Sequence, residues 1–213
     1  MENRAVKIHS KYDANAIIRV IPGHFATNHS HINYYVDMTI MKSRKSEAQA
    51  AASILAGKFS ANTVVDTIIC LDGCEVIGAY LADALTSAGI MSLNAHKTMY
   101  IVTPEVNPGG QLLFRDNTQP MIRGKHCLLL LASATTGKTV ARAVECVQYY
   151  GGQIAGVSAI FSASKEVAGV QINSIFGEED IPGYRTYEFN HCPLCERQQK
   201  IDAIVNSYGY SRL

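Results

Sequence analysis

The chain reads as an α/β protein with a central parallel sheet flanked by helices, and three observations lead there. Apolar, β-branched runs recur at residues 63–71, 125–131 and 153–161, and helix-patterned segments at 75–87 and 138–150 alternate with them. These runs are apolar nearly throughout, which marks strands buried on both faces. The third observation is Leu128-Leu129-Leu130-Leu131-Ala132-Ser133-Ala134-Thr135-Thr136-Gly137-Lys138-Thr139, where an apolar run meets a small, hydroxyl-rich turn before a helix. Sheets of this kind bind ligands beyond the carboxyl ends of their strands, and that turn stands there.

The length of 213 residues fits one sizeable domain, 1–213, and 47% apolar residues can fill its core. A net charge of +1 with only 17% charged residues gives no polyanion-binding surface, so no nucleic-acid partner is expected. The start, Met1-Glu2-Asn3-Arg4-Ala5-Val6-Lys7, has no apolar secretory core, and no apolar run reaches membrane-spanning length. The expectation is a soluble, cytoplasmic protein without a membrane partner. Six cysteines, at 70, 74, 127, 146, 192 and 195, read as reduced thiols rather than a disulfide framework.

In chain order, residues 1–21 are mixed and end at a Pro22-Gly23 break. Residues 34–40 read as a strand and 43–56 as a helix capped by Ser43 or Ser46 and stopped by Gly57. The strand 63–71 and the helix 75–87 follow, with Gly89 after the helix. Short strands are expected at 91–94 and 98–103. The polar stretch 104–124 reads as a loop or hairpin around Pro108-Gly109-Gly110. The strand 125–131, the helix 138–150 closed by Gly151-Gly152, and the strand 153–161 complete the alternation. Beyond residue 162 it fades, leaving a strand at 187–189 and a short helix at 196–206. The core sheet therefore spans about residues 60–165, with 1–59 and 166–213 added to it.

The central turn admits three readings. A Walker A loop needs a glycine five residues before Gly137, where Ala132 stands, and no acid follows the strand 153–161 to hold Mg²⁺. A plain Ser/Thr helix cap needs one hydroxyl, whereas Ser133, Thr135, Thr136 and Thr139 surround one glycine. A phosphate-monoester site uses both the hydroxyls and the N–H groups of a helix N-terminus, and this reading is favoured.

The block 127–161 resembles the ribose-5-phosphate loop of type I phosphoribosyltransferases, in which a Thr-Thr-Gly-x-Thr turn joins a strand to a helix; here it is Thr135-Thr136-Gly137-Lys138-Thr139. Phe25, Tyr35 and Asp37 match in order an early segment of the orotate phosphoribosyltransferases, and Cys192-Pro193-Leu194-Cys195 resembles a segment of some members. The resemblance implies a small hood built from the N- and C-terminal segments. It implies phosphoribosyl pyrophosphate or a nucleoside monophosphate as ligand, with Thr135, Thr136, Gly137, Lys138 and Thr139 on the 5′-phosphate. Asp72, Gly73, Cys74 and Glu75 fall where the family's pyrophosphate loop lies, and Phe25 and Tyr35 would meet the base or the hood. Activity would transfer ribose 5-phosphate to orotate or a related base, with Mg²⁺ held mainly by the substrate's phosphates, in a homodimer.

The sequence departs from that pattern twice. The family's two acidic residues fall at Leu131 and Ala132, or one residue later at Ala132 and Ser133. Losing both charges should cost roughly 10²–10⁴-fold in rate. The family's cationic mobile loop corresponds to residues 102–117, which hold Arg115 as the only cation together with Glu105, while His96 and Lys97 lie just upstream. No catalytic residue is assigned, and a non-catalytic binding module stands beside the enzyme. His191-Cys192-Pro193-Leu194-Cys195 offers half a zinc site, but Cys70 and Cys74 are the only other close pair, so a tight turn with reduced thiols and no metal is expected. His24, His29 and His31 lack a carboxylate partner at recognisable spacing and read as scattered loop histidines.

Overall fold

A computed structural model describes residues 1–59, 62–89, 92–95, 97–107 and 109–213. The N-terminal part forms β1 (Val6–His9), β2 (Ile17–Ala26) and β3 (His31–Asp37), then helices α1 (Thr39–Ser43) and α2 (Lys45–Ala56). The middle forms β4 (Thr67–Cys70), α3 (Glu75–Thr86), β5 (Tyr100–Val102), a small hairpin of β6 (Glu105–Val106) and β7 (Leu112–Leu113), β8 (His126–Ala134), α4 (Lys138–Tyr149) and β9 (Gln153–Ser162). The rest adds β10 (Glu166–Val167), β11 (Val170–Gly177), β12 (Thr186–Tyr187), α5 (Pro193–Glu196), β13 (Ala203–Asn206) and β14 (Gly209–Arg212).

The central sheet runs β10-β11-β9-β8-β4-β5 and is parallel except for the β10–β11 hairpin. Leu128, Leu129, Leu130 and Leu131 of β8 are all fully buried, as a strand covered on both faces requires. Leu128 and Leu130 pack into a core shared with α2, α3 and the hood, while Leu129 and Leu131 face Val140, Ala143, Val144 and Val147 of α4. Gly78 lets α3 lie close on β4, since a Cβ there would stand 2.4 Å from Cys70 Sγ.

The second sheet, β12-β3-β2-β13-β14 with β1 on β2, is the hood, and it draws on both ends of the chain. Chain order along the parallel strands reverses between β4 and β8: β5 lies outside β4, whereas β9 and β11 lie beyond β8. The crevice at such a switch point is where open α/β sheets bind ligands. Among the described residues no helix is long and apolar enough to cross a membrane.

Several sequence expectations shift. The strand expected at 34–40 is β3 and stops at Asp37, whose Oδ1 accepts the Thr39 N–H at 3.0 Å and starts α1. The helix expected from Ser43 breaks at Arg44, which is extended. No strand forms at residues 92–94, which make a turn, and Met91 lies outside the described residues. The short helix expected at 196–206 is wrong. α5 ends at Glu196 and β13 follows, because Ala203 and Val205 alternate inward against the hood core. The central sheet also continues past residue 165, as β11 pairs in parallel with β9.

Candidate functional site

Strand β8 runs three residues further than its apolar run suggested. Ser133 and Ala134 still pair with Phe161 and Ser162 of β9, so the chain leaves the sheet only at Thr135. That excludes the Walker A geometry, which needs the segment from residue 132 to 137 free to wrap a phosphate.

Gly137 then turns the chain with φ +74°, and a Cβ there would lie 2.6 Å from Val167. Only glycine meets both conditions without strain. It is also the N-cap of α4, and no side chain caps that helix. The simple-cap reading therefore fails. The first-turn N–H groups, which have no partner within a helix, open onto a cleft bordered by all five of Thr135, Thr136, Gly137, Lys138 and Thr139.

Across the crevice, Asp72 stands just past β4 at φ +58°. Burial pushes its carboxyl above the usual carboxylate value, opposed by the backbone N–H groups of Ala132 and Ser133 and by Lys42. Asp72 thus lies beside the very β8 positions where the sequence lacks acids. Ala132 borders the cleft, while Leu131 is sealed in the α4-side core and could not present a side chain to a ligand.

The other expected pyrophosphate residues part company with Asp72. Gly73 is exposed, Cys74 is fully buried in the core, and Glu75 accepts the Thr103 hydroxyl at 2.8 Å on the far side; none borders the cleft. Tyr35 does border it, with its phenol pushed up by burial. Phe25 does not: it is fully buried behind Tyr35, their rings 6.0 Å apart. Arg115 is paired with Glu105 at 2.7 Å across the β6–β7 hairpin and away from the cleft. Lys97 is exposed and also away from it, and His96 lies outside the described residues.

Sequence reading missed Lys42. Its Nζ donates to the carbonyls of Asp72 (2.7 Å) and Ser207 (2.5 Å), and it borders the cleft beside Lys138 as a second cation. Nothing local in α1 signals this, because both partners are distant in sequence. The hood adds Thr27, Asn28 and His29 from the β2–β3 turn, Val205 and Asn206 at the end of β13, and Ser207 just after it. His29 titrates below its usual range, through burial and then the charges of Arg142 and Lys138. His24 and His31 are not loop residues: both are buried in the hood, next to Cys192 and Cys195.

This arrangement, a parallel sheet with a hydroxyl-rich turn at its switch point under a hood from both chain ends, is that of the type I phosphoribosyltransferase fold. Comparison with known proteins agrees, although no family profile matches the chain. The fold is similar to the adenine phosphoribosyltransferase of Thermoanaerobacter pseudethanolicus, with TM-score 0.51 and 14% identity over 83% of this chain and 96% of that one. It is similar too to the orotate phosphoribosyltransferase of Mycobacterium tuberculosis H37Rv in complex with 5-phospho-α-D-ribosyl 1-diphosphate, with TM-score 0.51 and 16% identity over 69% and 82% of the two chains. In sequence, the chain is 26% identical over 181 residues to the orotate phosphoribosyltransferase of Desulforamulus reducens, which covers 84% of this chain and 85% of the relative.

Proposed function

We propose that the cleft binds phosphoribosyl pyrophosphate and transfers its ribose 5-phosphate to a pyrimidine base such as orotate. The observation that carries this reading is the uncapped N-terminus of α4 with its threonine turn, set at the switch point opposite Asp72. A phosphate monoester there receives backbone N–H groups, threonine hydroxyls and the Lys138 ammonium together. In the transfer, the bond from ribose C1 to pyrophosphate breaks and a bond from C1 to a ring nitrogen forms as that nitrogen loses its proton. Positive charge builds on the ribose, and Asp72 is the only carboxylate among the described residues bordering the cleft. It is therefore the catalytic residue assigned here, acting as the anion that faces the developing oxocarbenium charge. Mg²⁺ fits the same place: the substrate's phosphates would hold it, with Asp72 as an oxygen donor, and it would neutralise the leaving pyrophosphate. Lys42 and Lys138 supply cationic charge that the family's mobile loop would otherwise bring.

Incubation with orotate, phosphoribosyl pyrophosphate and Mg²⁺ should yield orotidine monophosphate and pyrophosphate. A panel of other bases under the same conditions tests the acceptor. The second reading, a binding module without turnover, draws on Leu131 and Ala132, which put no carboxylate on β8 itself. Nucleotide binding by calorimetry with no transfer to any base would establish it over the enzyme. The cytoplasmic homodimer implied by the resemblance belongs to the same proposal, and sedimentation of the chain with and without substrate checks the dimer.

A further inference from the structure

Four potential ligand atoms meet in the hood, and none of their residues borders the cleft. His24 Nε2 lies 3.0 Å from His31 Nδ1 and 3.6 Å from the Sγ atoms of both Cys192 and Cys195, and Cys195 Sγ lies 3.3 Å from His31 Nδ1. All four atoms fall within 4.8 Å of one another. Tetrahedral zinc, with bonds of about 2.3 Å to sulfur and about 2.0–2.1 Å to nitrogen, separates S from N by about 3.6 Å and N from N by about 3.3 Å. The four short separations lie within about 0.3 Å of that pattern, and the remaining two pairs lie within 4.8 Å.

The protonation of His24 also suits a metal. Its Nδ1 lies 2.8 Å from the Gln199 carbonyl, which can only accept, so Nδ1 carries the proton and Nε2 turns its lone pair inward. Two thiolates would cancel the charge of one divalent ion, so the completed group is neutral, as suits the buried side of the site, where His24 is 0% and Cys192 1% exposed, while Cys195 stands at its exposed edge. Four protein ligands leave no open position, which separates structural from catalytic zinc.

We propose that His24, His31, Cys192 and Cys195 form a structural zinc site that clamps the C-terminal segment to the hood hairpin. His24 and His31 flank the turn whose Thr27, Asn28 and His29 border the cleft. Just after the cysteines, Asp202 donates its N–H to the His24 carbonyl and accepts the His24 N–H, and β13 pairs beside Phe25. The ion therefore fixes two distant parts of the chain at the point where they become the roof of the cleft. On binding, both thiol protons pass to solvent as the two Zn–S bonds form.

The test uses the full chain, purified under reducing conditions without chelator. About one zinc per chain by elemental analysis is expected. Cobalt exchanged for it should give tetrahedral visible bands with thiolate charge-transfer absorption, and Cys195→Ser and His24→Asn should abolish both. Because those variants could fail to fold, the unaltered chain carries the decisive measurement. Stripping its metal should lower the melting temperature by about 10 °C, and zinc alone should restore it. A chain that melts identically with and without micromolar zinc overturns the proposal. So does a six-coordinate cobalt spectrum lacking thiolate bands, or a Cys192–Cys195 disulfide in the folded, reduced-buffer preparation. None of these readouts depends on turnover, so they stand or fall apart from the reading of the cleft.

Discussion

The floor of the cleft comes mainly from one stretch of chain, residues 132–140, with Asp72 beside it, whereas its roof is gathered from the β2–β3 turn, α1 and the end of β13 with Ser207. The floor is rigid by construction. β8 is paired on both sides, and the turn leaves it through a glycine that no other residue could replace without strain. The roof is held by long-range contacts: Lys42 to the carbonyls of Asp72 and Ser207, Asp202 to the backbone of His24, and the cysteine–histidine cluster. Contiguous chemistry can be recognised from a short motif, while dispersed chemistry becomes visible only when the chain is folded.

If the floor provides the chemistry and the roof the closure, substitutions should separate along that line. Asp72→Asn should reduce kcat by about 10²–10³-fold with KM for phosphoribosyl pyrophosphate nearly unchanged. Its pKa gives a second readout. Burial raises the folded value above the 3.8 of a free aspartate, so ionisation at neutral pH costs stability, and the asparagine variant should melt no lower than the parent. A drop in melting temperature with full kcat would assign Asp72 to structure instead.

Gly137→Ala should cost about 2–4 kcal/mol of stability, from the positive φ and the contact with Val167, and weaken nucleotide binding more than tenfold. Denaturant titration and calorimetry measure both, and unchanged binding would remove the turn from the site. Lys42→Met reaches the roof. Loss of two charge-assisted hydrogen bonds should cost about 2 kcal/mol and raise KM about tenfold, with kcat affected less. If kcat falls and KM holds, the division between floor and roof is wrong.

The smallest effect lies at the amino end of β8, away from both walls. Although burial opposes it, the Asp66 carboxyl is held below 3.8 by the backbone and ring N–H groups of His126, at 2.9 and 2.8 Å. A depressed folded pKa stabilises above the unfolded value and is lost as pH falls through the folded one. Asp66→Asn should cost about 1 kcal/mol at pH 7 and flatten the stability curve below pH 3.8, with transfer activity unchanged.

Much of the central sheet was legible because buried parallel strands and amphipathic helices leave strong local patterns. The turn at Thr135-Thr136-Gly137 was legible for the same reason, since its donors are adjacent. Several strands were lost: β1, β2, β10 and β14 were not read as strands at all, and two more show why. β13 was read as helix because four residues bordering a polar stretch carry no clear period, and β11 because its exposed and half-buried residues interrupt the apolar run. The pyrophosphate loop was read too broadly: one residue of four borders the cleft, as the turn after β4 sends Cys74 into the core and Glu75 to Thr103. The histidines and the Cys-x-x-Cys pair were each noticed, yet nothing in a linear reading joins residue 24 to residue 195.

By itself the sequence determined the α/β class, the strand–turn–helix unit at residues 128–150 and the absence of acids at Leu131 and Ala132, because these depend on local periodicity, turn chemistry and side-chain identity. Tertiary structure decided that Asp72 stands beside those positions, that Lys42 joins it to the hood, and that His24, His31, Cys192 and Cys195 converge. Each of these is a meeting of segments brought together by burying a shared core, and no local signal specifies which distant partners that burial will select.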